Sequence, residues 1–242
     1  MDSAVAVPQW RPRHDRIFFG GSAAALLLVT FLGFAPTYYL AGAFDAPALS
    51  PLVHAHGIVF SAWMLLFVAQ TGLIATRRAD LHRRVGLFAA GLAVAVVILG
   101  IVVAIESGRH GGGGPQRNQP VFLVFPLTNI LLFGGLCFAG VRQRLQAGTH
   151  KRLMFLATLA LAVTPLARLS RMMGLPFSPP AIGGMILSDL FLIALVMFDT
   201  QSRGRVHPAT AWAGGIMLLS QPLRVMVSHT AAWQDFAHSL IG

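Results

Sequence analysis

Charge is what this chain lacks most. Asp, Glu, Lys and Arg make up 11% of its 242 residues, where soluble domains carry roughly 25%. Hydrophobic residues reach 55% and the mean hydropathy is +0.69. A soluble core of this length cannot hide that much apolar surface, but lipid can. Cysteine is nearly missing as well. Cys137 stands alone inside an apolar run, which excludes an intrachain disulfide framework and marks it as a packing residue. Cys-x-x-Cys, Cys-x-x-Cys-His and His-Glu-x-x-His do not occur, so the specific metal and haem-attachment motifs are absent. Gly111-Gly-Gly-Gly114 lacks the strand and the Lys-Ser/Thr of a phosphate loop and reads as a linker. Ser, His and Asp all occur, but nothing marks a nucleophile.

Acidic residues are the scarcer sign, 8 against 18 basic ones, for a formal charge of +10. The excess arginines sit in short loops between apolar runs. That is the membrane pattern and not a nucleic-acid patch. Runs of spanning length occur at 17–40, 52–75, 84–105, 121–141, 152–170, 180–198 and 209–227. Each approaches the roughly 20 residues that a helix needs to cross hydrocarbon. The fifth is the weakest, because Pro165 and Arg168 interrupt it. Arg11, Arg13 and Arg16 precede the first run, and Ala41-Gly42-Ala43 resembles a cleavage site. The run is longer than a signal h-region of about 7–15 residues, so it reads as a retained anchor.

The loops orient the chain. Arg77, Arg78, Arg83 and Arg84 lie between the second and third runs, Arg142, Arg144, Lys151 and Arg152 between the fourth and fifth, and Arg203 and Arg205 between the sixth and seventh. Cytoplasmic loops gather Lys and Arg, so the N-terminus is expected inside and the tail at 228–242 outside. The expected fold is an all-α integral membrane bundle of seven spans forming one domain over 1–242, with a basic segment at 1–16.

Three stretches align without gaps: Trp63-Met-Leu-Leu-Phe67, Asn129-Ile-Leu-Leu-Phe133 and Asp189-Leu-Phe-Leu-Ile193. Each is followed, 18 to 21 residues later, by a histidine that opens the next span: His82, His150 and His207. Fifteen residues separate His150 from Pro165, and fifteen separate His207 from Pro222. Three hairpin repeats are therefore expected, at 52–105, 121–170 and 180–227, with the first span outside the repeat.

Polar residues inside spans are costly and normally face protein or a wet cavity. His54 and His56 lie in the second span, and His56, Trp63 and Gln70 share one helix face. Glu106 ends the third span and Asn129 follows Pro126 in the fourth. Arg168 and Arg171 end the fifth, Asp189 sits near the centre of the sixth, and Gln221 and Arg224 face together in the seventh. With the prolines beside them, these residues outline an outward-facing pocket for an anionic headgroup, a carboxylate or a quinone carbonyl. The alternative is that Asp189 pairs with Arg168 or Arg224 and locks the bundle. His54 and His56 are two apart and point to nearly opposite faces, so they cannot chelate one ion from a regular helix; one of them facing inward as a hydrogen-bonding core histidine is the simpler reading.

His82, His150 and His207 open equivalent helices. Helix N-termini disfavour extra positive charge and so favour the neutral imidazole that binds metals. Three imidazoles suit zinc or copper, and an opposing pair suits haem iron, with Arg83, Arg84, Lys151 and Arg152 placed to hold propionates. Capping or snorkelling at headgroup depth is the alternative.

The string Leu81-His-Arg-Arg-Val-Gly86 resembles the helix-opening His-Arg-x-x-Gly of several bacterial membrane families, including haem-bearing b-type cytochromes. His150-Lys-Arg-Leu-Met154 resembles openings in uncharacterised polytopic families linked with oxidase assembly. As a whole, the chain resembles an uncharacterised class of bacterial inner-membrane proteins. The first of these resemblances implies haem at the histidines, although those of this chain stand at helix ends rather than mid-span; the last implies an inner-membrane address and carries no activity with it. Three function classes follow: a ligand- or cofactor-binding redox protein, a small-solute transporter with its substrate near Asn129, Asp189 and Arg168, or an accessory subunit of a larger complex or homo-oligomer.

Overall fold

The structure is a computed structural model that describes residues 12–109, 120–177 and 180–242. The linker expected at Gly111–Gly114 lies outside the described residues. Among the described residues there are eight α-helices and no strand: α1 (Pro12–Phe34), α2 (Pro51–Ala75), α3 (Ala79–Arg109), α4 (Pro120–Arg142), α5 (Ala147–Met172), α6 (Pro180–Arg203), α7 (Pro208–Ser228) and α8 (Ala231–Ile241). Six of these, α1 with its continuation to Tyr39 and α2 to α6, are long and apolar enough to cross a membrane. This is a multi-pass membrane bundle. All seven expected runs are helical, and each lies within or close to the bounds of its helix.

Local chemistry sets the helix ends. Ser50 caps α2 by accepting the Val53 N–H at 3.4 Å, with Pro51 at the first helical position. His207 caps α7 in the same way, its Nδ1 accepting the Ala209 N–H at 3.0 Å ahead of Pro208. Pro36 follows the end of α1, which widens into a π turn over Ala35–Tyr39. The α2–α3 and α6–α7 connections turn through left-handed residues, Arg77 at φ 62° and Gly204 at φ 71°.

The helix that the sequence marks as weakest is the centre of the bundle. The apolar window of α5 is 72% buried, against 44% for α4 and 17% for α2. It packs against α1, α4, α6 and α7. A helix surrounded by protein needs no apolar residue on every face, so Pro165 and Arg168 are tolerated where a lipid-facing helix would expose them. Small residues let its neighbours close in. A Cβ at Gly184 of α6 would lie 2.3 Å from the Val163 carbonyl oxygen, and one at Gly33 of α1 would lie 2.6 Å from that of Pro165. Such backbone approaches are how helices associate where no hydrophobic effect drives them together.

The expected hairpins differ in closeness. α2 packs along α3, and α4 along α5, but α7 lies mainly on α4 and α5 and only lightly on α6. The tail after α7 forms α8, which the sequence reading did not anticipate. Trp233, Phe236, Ala237, Leu240 and Ile241 follow an amphipathic period. Ala237, Leu240 and Ile241 pack with Ala104 and Leu123, and the Trp233 indole donates to the Pro120 carbonyl at 2.9 Å.

Gly184→Ala is expected to force α5 and α6 apart and destabilise the protein by about 1–3 kcal/mol, read as a lower melting temperature in detergent. Gly91→Ala, whose Cβ meets nothing within 4 Å, is expected to leave it unchanged.

Candidate functional site

Two polar systems occupy the basic end of the bundle, where α1, α3, α5 and α7 begin. The first joins α5, α6 and α7. Arg152 and Asp199 are 1% and 0% exposed. The Arg152 Nε donates to Asp199 Oδ1 at 2.9 Å, one Nη donates to the same oxygen, and the other Nη donates to the Gly148 carbonyl at 2.8 Å. Asp199 Oδ2 accepts the Thr210 hydroxyl at 2.6 Å and the His207 backbone N–H at 3.1 Å. Both carboxylate oxygens are thus engaged, which a buried charge requires. Phe18 and Phe19 of α1 cover this knot from the side, with Phe18 stacked on Phe198 at 4.3 Å and Phe19 edge-on to Phe155 at 6.1 Å. Lys151 pairs with Asp15 of α1 and lies 5.0 Å over the Phe19 ring.

The second system is a histidine pair. The rings of His82 on α3 and His150 on α5 stand edge-on with centroids 6.2 Å apart. His150 Nδ1 is 2.8 Å from the Gly140 carbonyl. Gln70 of α2 donates to the His82 carbonyl at 3.3 Å. His82 Nδ1 and Gln70 Oε1 are buried with no hydrogen-bond partner. Buried polar atoms of this kind are rare and need an explanation.

His207 does not join this pair. Its Nδ1 caps α7 and its backbone N–H serves Asp199. Burial first, and then the guanidinium groups of Arg152 and Arg203, push it from the ordinary 6.5 down to about 4. Among the described residues no three His, Cys, Asp or Glu side chains gather as a metal group. The expected triad is therefore a pair plus a helix cap. Lys151 and Arg152, expected to reach propionates, are instead neutralised by Asp15 and Asp199.

In the other half of the bundle, four of the expected pocket residues form two hydrogen-bonded pairs. Arg224 of α7, 4% exposed, donates to Asn129 Oδ1 at 2.8 Å, to Ser220 Oγ at 2.7 Å and to the Ser220 carbonyl at 3.2 Å. Gln221 donates to Asp189 Oδ1 at 2.7 Å. The other residues lie apart. Arg168 donates to Thr37 at 2.9 Å and lies 4.6 Å over the Phe34 ring, both on the first helix and its extension. Trp63 is a core residue, 4.8 Å edge-on to Phe133, with its Nε1 donating to Thr158 at 3.3 Å. His56 packs on Phe60 at 4.0 Å, its Nδ1 buried without a partner. His54 is exposed near the start of α2, where its carbonyl accepts the Tyr38 hydroxyl at 3.2 Å. Glu106 lies 3.9 Å from Arg109, and Arg171 is exposed at the end of α5.

Asp199 escaped the sequence reading. The available signal was its position: a carboxylate one turn before the basic end of an apolar run, in a chain with eight acidic residues. What hid its partner is distance, since Arg152 lies 47 residues away.

Asp199→Asn leaves Arg152 buried without its counter-charge and is expected to destabilise the protein by about 3–5 kcal/mol, measured by thermal unfolding in detergent. A separate test concerns His207. Between about pH 4 and 6.5 the unfolded chain takes up a proton at His207 that the folded protein refuses. Stability is expected to fall as pH is lowered through this window and to be retained above it. His207→Asn keeps a capping side chain and is expected to flatten that loss; an unchanged pH slope would assign the loss to another group. Comparison of the chain with family models, with curated proteins and with solved structures finds no match in any of the three.

Proposed function

We propose that this is a bacterial inner-membrane protein of seven spans, with its N-terminus cytoplasmic, that binds a haem or transition-metal cofactor through His82 and His150. The topology is supported by the basic residues. Those at the starts of α1, α3 and α5 and in the loops before α3, α5 and α7 share one end of an antiparallel bundle, as the charge rule for cytoplasmic loops requires. The three-hairpin reading is supported by His82 and His150 at matching positions in the first turns of α3 and α5 and by Pro165 and Pro222 within α5 and α7.

One observation carries the cofactor reading: a buried imidazole nitrogen, His82 Nδ1, without a partner and beside a second imidazole whose own Nδ1 is directed at a backbone carbonyl. A histidine oriented through one nitrogen by a carbonyl leaves the other for a ligand, as metal-binding histidines commonly do. Two imidazoles leave a tetrahedral zinc site half-filled. They suit the axial positions of a haem iron better, or a copper ion. Of the four cations expected to hold propionates, the exposed Arg83 and Arg84 remain suited to it, since Lys151 and Arg152 are paired.

The mutual bonding of Asn129 with Arg224 and of Gln221 with Asp189 supports a locking role for these four residues over solute binding. That favours a cofactor protein, or an accessory subunit of a larger complex, over a transporter. Protein purified in mild detergent is expected to show a Soret band or about one bound metal per chain. His82→Ala and His150→Ala are expected to lose it, while His54→Ala, an exposed position, keeps it. Colourless, metal-free wild-type protein in both oxidation states would sink the reading.

A further inference from the structure

α6 and α7 are consecutive, yet they splay apart and leave a groove of about 430 Å³ between them. Its walls are apolar: Leu192, Ile193, Val196 and Met197 from α6, and Gly215 and Leu218 from α7. The helices touch at Gly214, where a Cβ would lie 2.7 Å from a Leu192 methyl. One residue on, a Cβ at Gly215 would meet nothing within 4 Å, so the groove stays open along its outer side. Asp189 closes the deep end with its Oδ1 engaged by Gln221, and Thr210 closes the other with its hydroxyl given to Asp199. Each end thus carries a polar group held by a neighbour, Asp189 through one oxygen and Thr210 through its hydroxyl, and the walls between them are apolar.

Length and charge identify what fits. The wall from Asp189 to Met197 covers eight helical steps, roughly 12 Å at 1.5 Å per residue. That is most of the ~15 Å hydrocarbon depth of one leaflet. About 9 Å beyond Met197 along the same axis, α6 ends at Arg203, and Gly204 and Arg205 follow it, all three exposed. An apolar slot thus runs towards two exposed arginines at headgroup depth. Basic positions between helices on the cytoplasmic side are where anionic headgroups bind.

We propose that the α6–α7 groove is a specific site for an anionic phospholipid, with one acyl chain in the groove and its phosphate on Arg203 and Arg205. The lipid fills the gap that the helices leave and joins them where their side chains do not meet. Its site is separate from the His82–His150 pair.

The test is native mass spectrometry of the purified full chain in mild detergent, titrated with phosphatidylglycerol or phosphatidylcholine. Wild-type protein is expected to retain phosphatidylglycerol in preference to phosphatidylcholine. Gly215→Phe, which places a ring in the open groove, is expected to abolish retention. Arg203→Ala with Arg205→Ala is expected to weaken it roughly 30-fold and remove the headgroup preference. Should Gly215→Phe elute as unfolded protein, Ile193→Trp blocks the groove from α6 instead. Two results overturn the site. One is unchanged retention in the folded groove-filling variant, which assigns the lipid to the basic surface alone. The other is equal retention of both lipids by the wild type, which reduces the groove to ordinary lipid contact.

Discussion

A guanidinium and a carboxylate, both removed from lipid and water, hold this bundle together at its basic end. Arg152 of α5 and Asp199 of α6 meet where α7 begins, and the backbone of His207 and the hydroxyl of Thr210 complete the carboxylate's coordination. Neither charge can be buried alone, because desolvating an ion costs several kcal/mol even after relaxation. Three helices must therefore be in register before either is satisfied. The remaining geometry at this end follows. α1 lays Phe18 and Phe19 over the knot and adds its own ion pair through Asp15 and Lys151. His207 is kept neutral as a cap because a protonated ring would lie among Arg152 and Arg203 and could not accept the Ala209 N–H.

This constraint places α5 at the centre. Four of its polar residues find partners on three neighbours: Arg152 on α6, His150 beside His82 of α3, and Lys151 and Arg168 on α1 and its extension. The lipid-facing helices show the converse. α3 carries Leu87, Phe88, Val94 and Ile98 outward, all well exposed, and few polar side chains in its middle. In lipid the more polar helix belongs inside, since only there are its side chains solvated. The same logic leaves a gap between α6 and α7. Asp199 draws α6 onto α5 and Arg224 draws α7 onto Asn129 of α4. Among the described residues, the direct polar ties between α6 and α7 are thus confined to Thr210 on Asp199 and Gln221 on Asp189, with the gap between them.

Much of the fold was legible in the residues, and for a physical reason. Whether a segment enters the bilayer depends on a sum of transfer energies over about 20 neighbours, which is local information. Of the two helix starts capped by Ser50 with Pro51 and by His207 with Pro208, only that at His207 is expected from the sequence. The α8 helix has a visible period in Trp233, Phe236, Ala237, Leu240 and Ile241, but at 11 residues it is too short to span and carries no hydropathy signal of spanning length.

The amino-acid sequence by itself determined that this is a multi-pass helical membrane protein, where its helices run and on which side of each its basic residues gather. Only the tertiary structure decided which helix is central and which charges meet. It separated His207 from His82 and His150, moved Arg168 away from Asp189, and brought Arg152 to Asp199. Pairing depends on how each helix is rotated about its axis and on contacts between residues as far apart as Asn129 and Arg224, 95 positions along the chain. Hydropathy carries no information about rotation, and periodicity carries little when nearly every face is apolar.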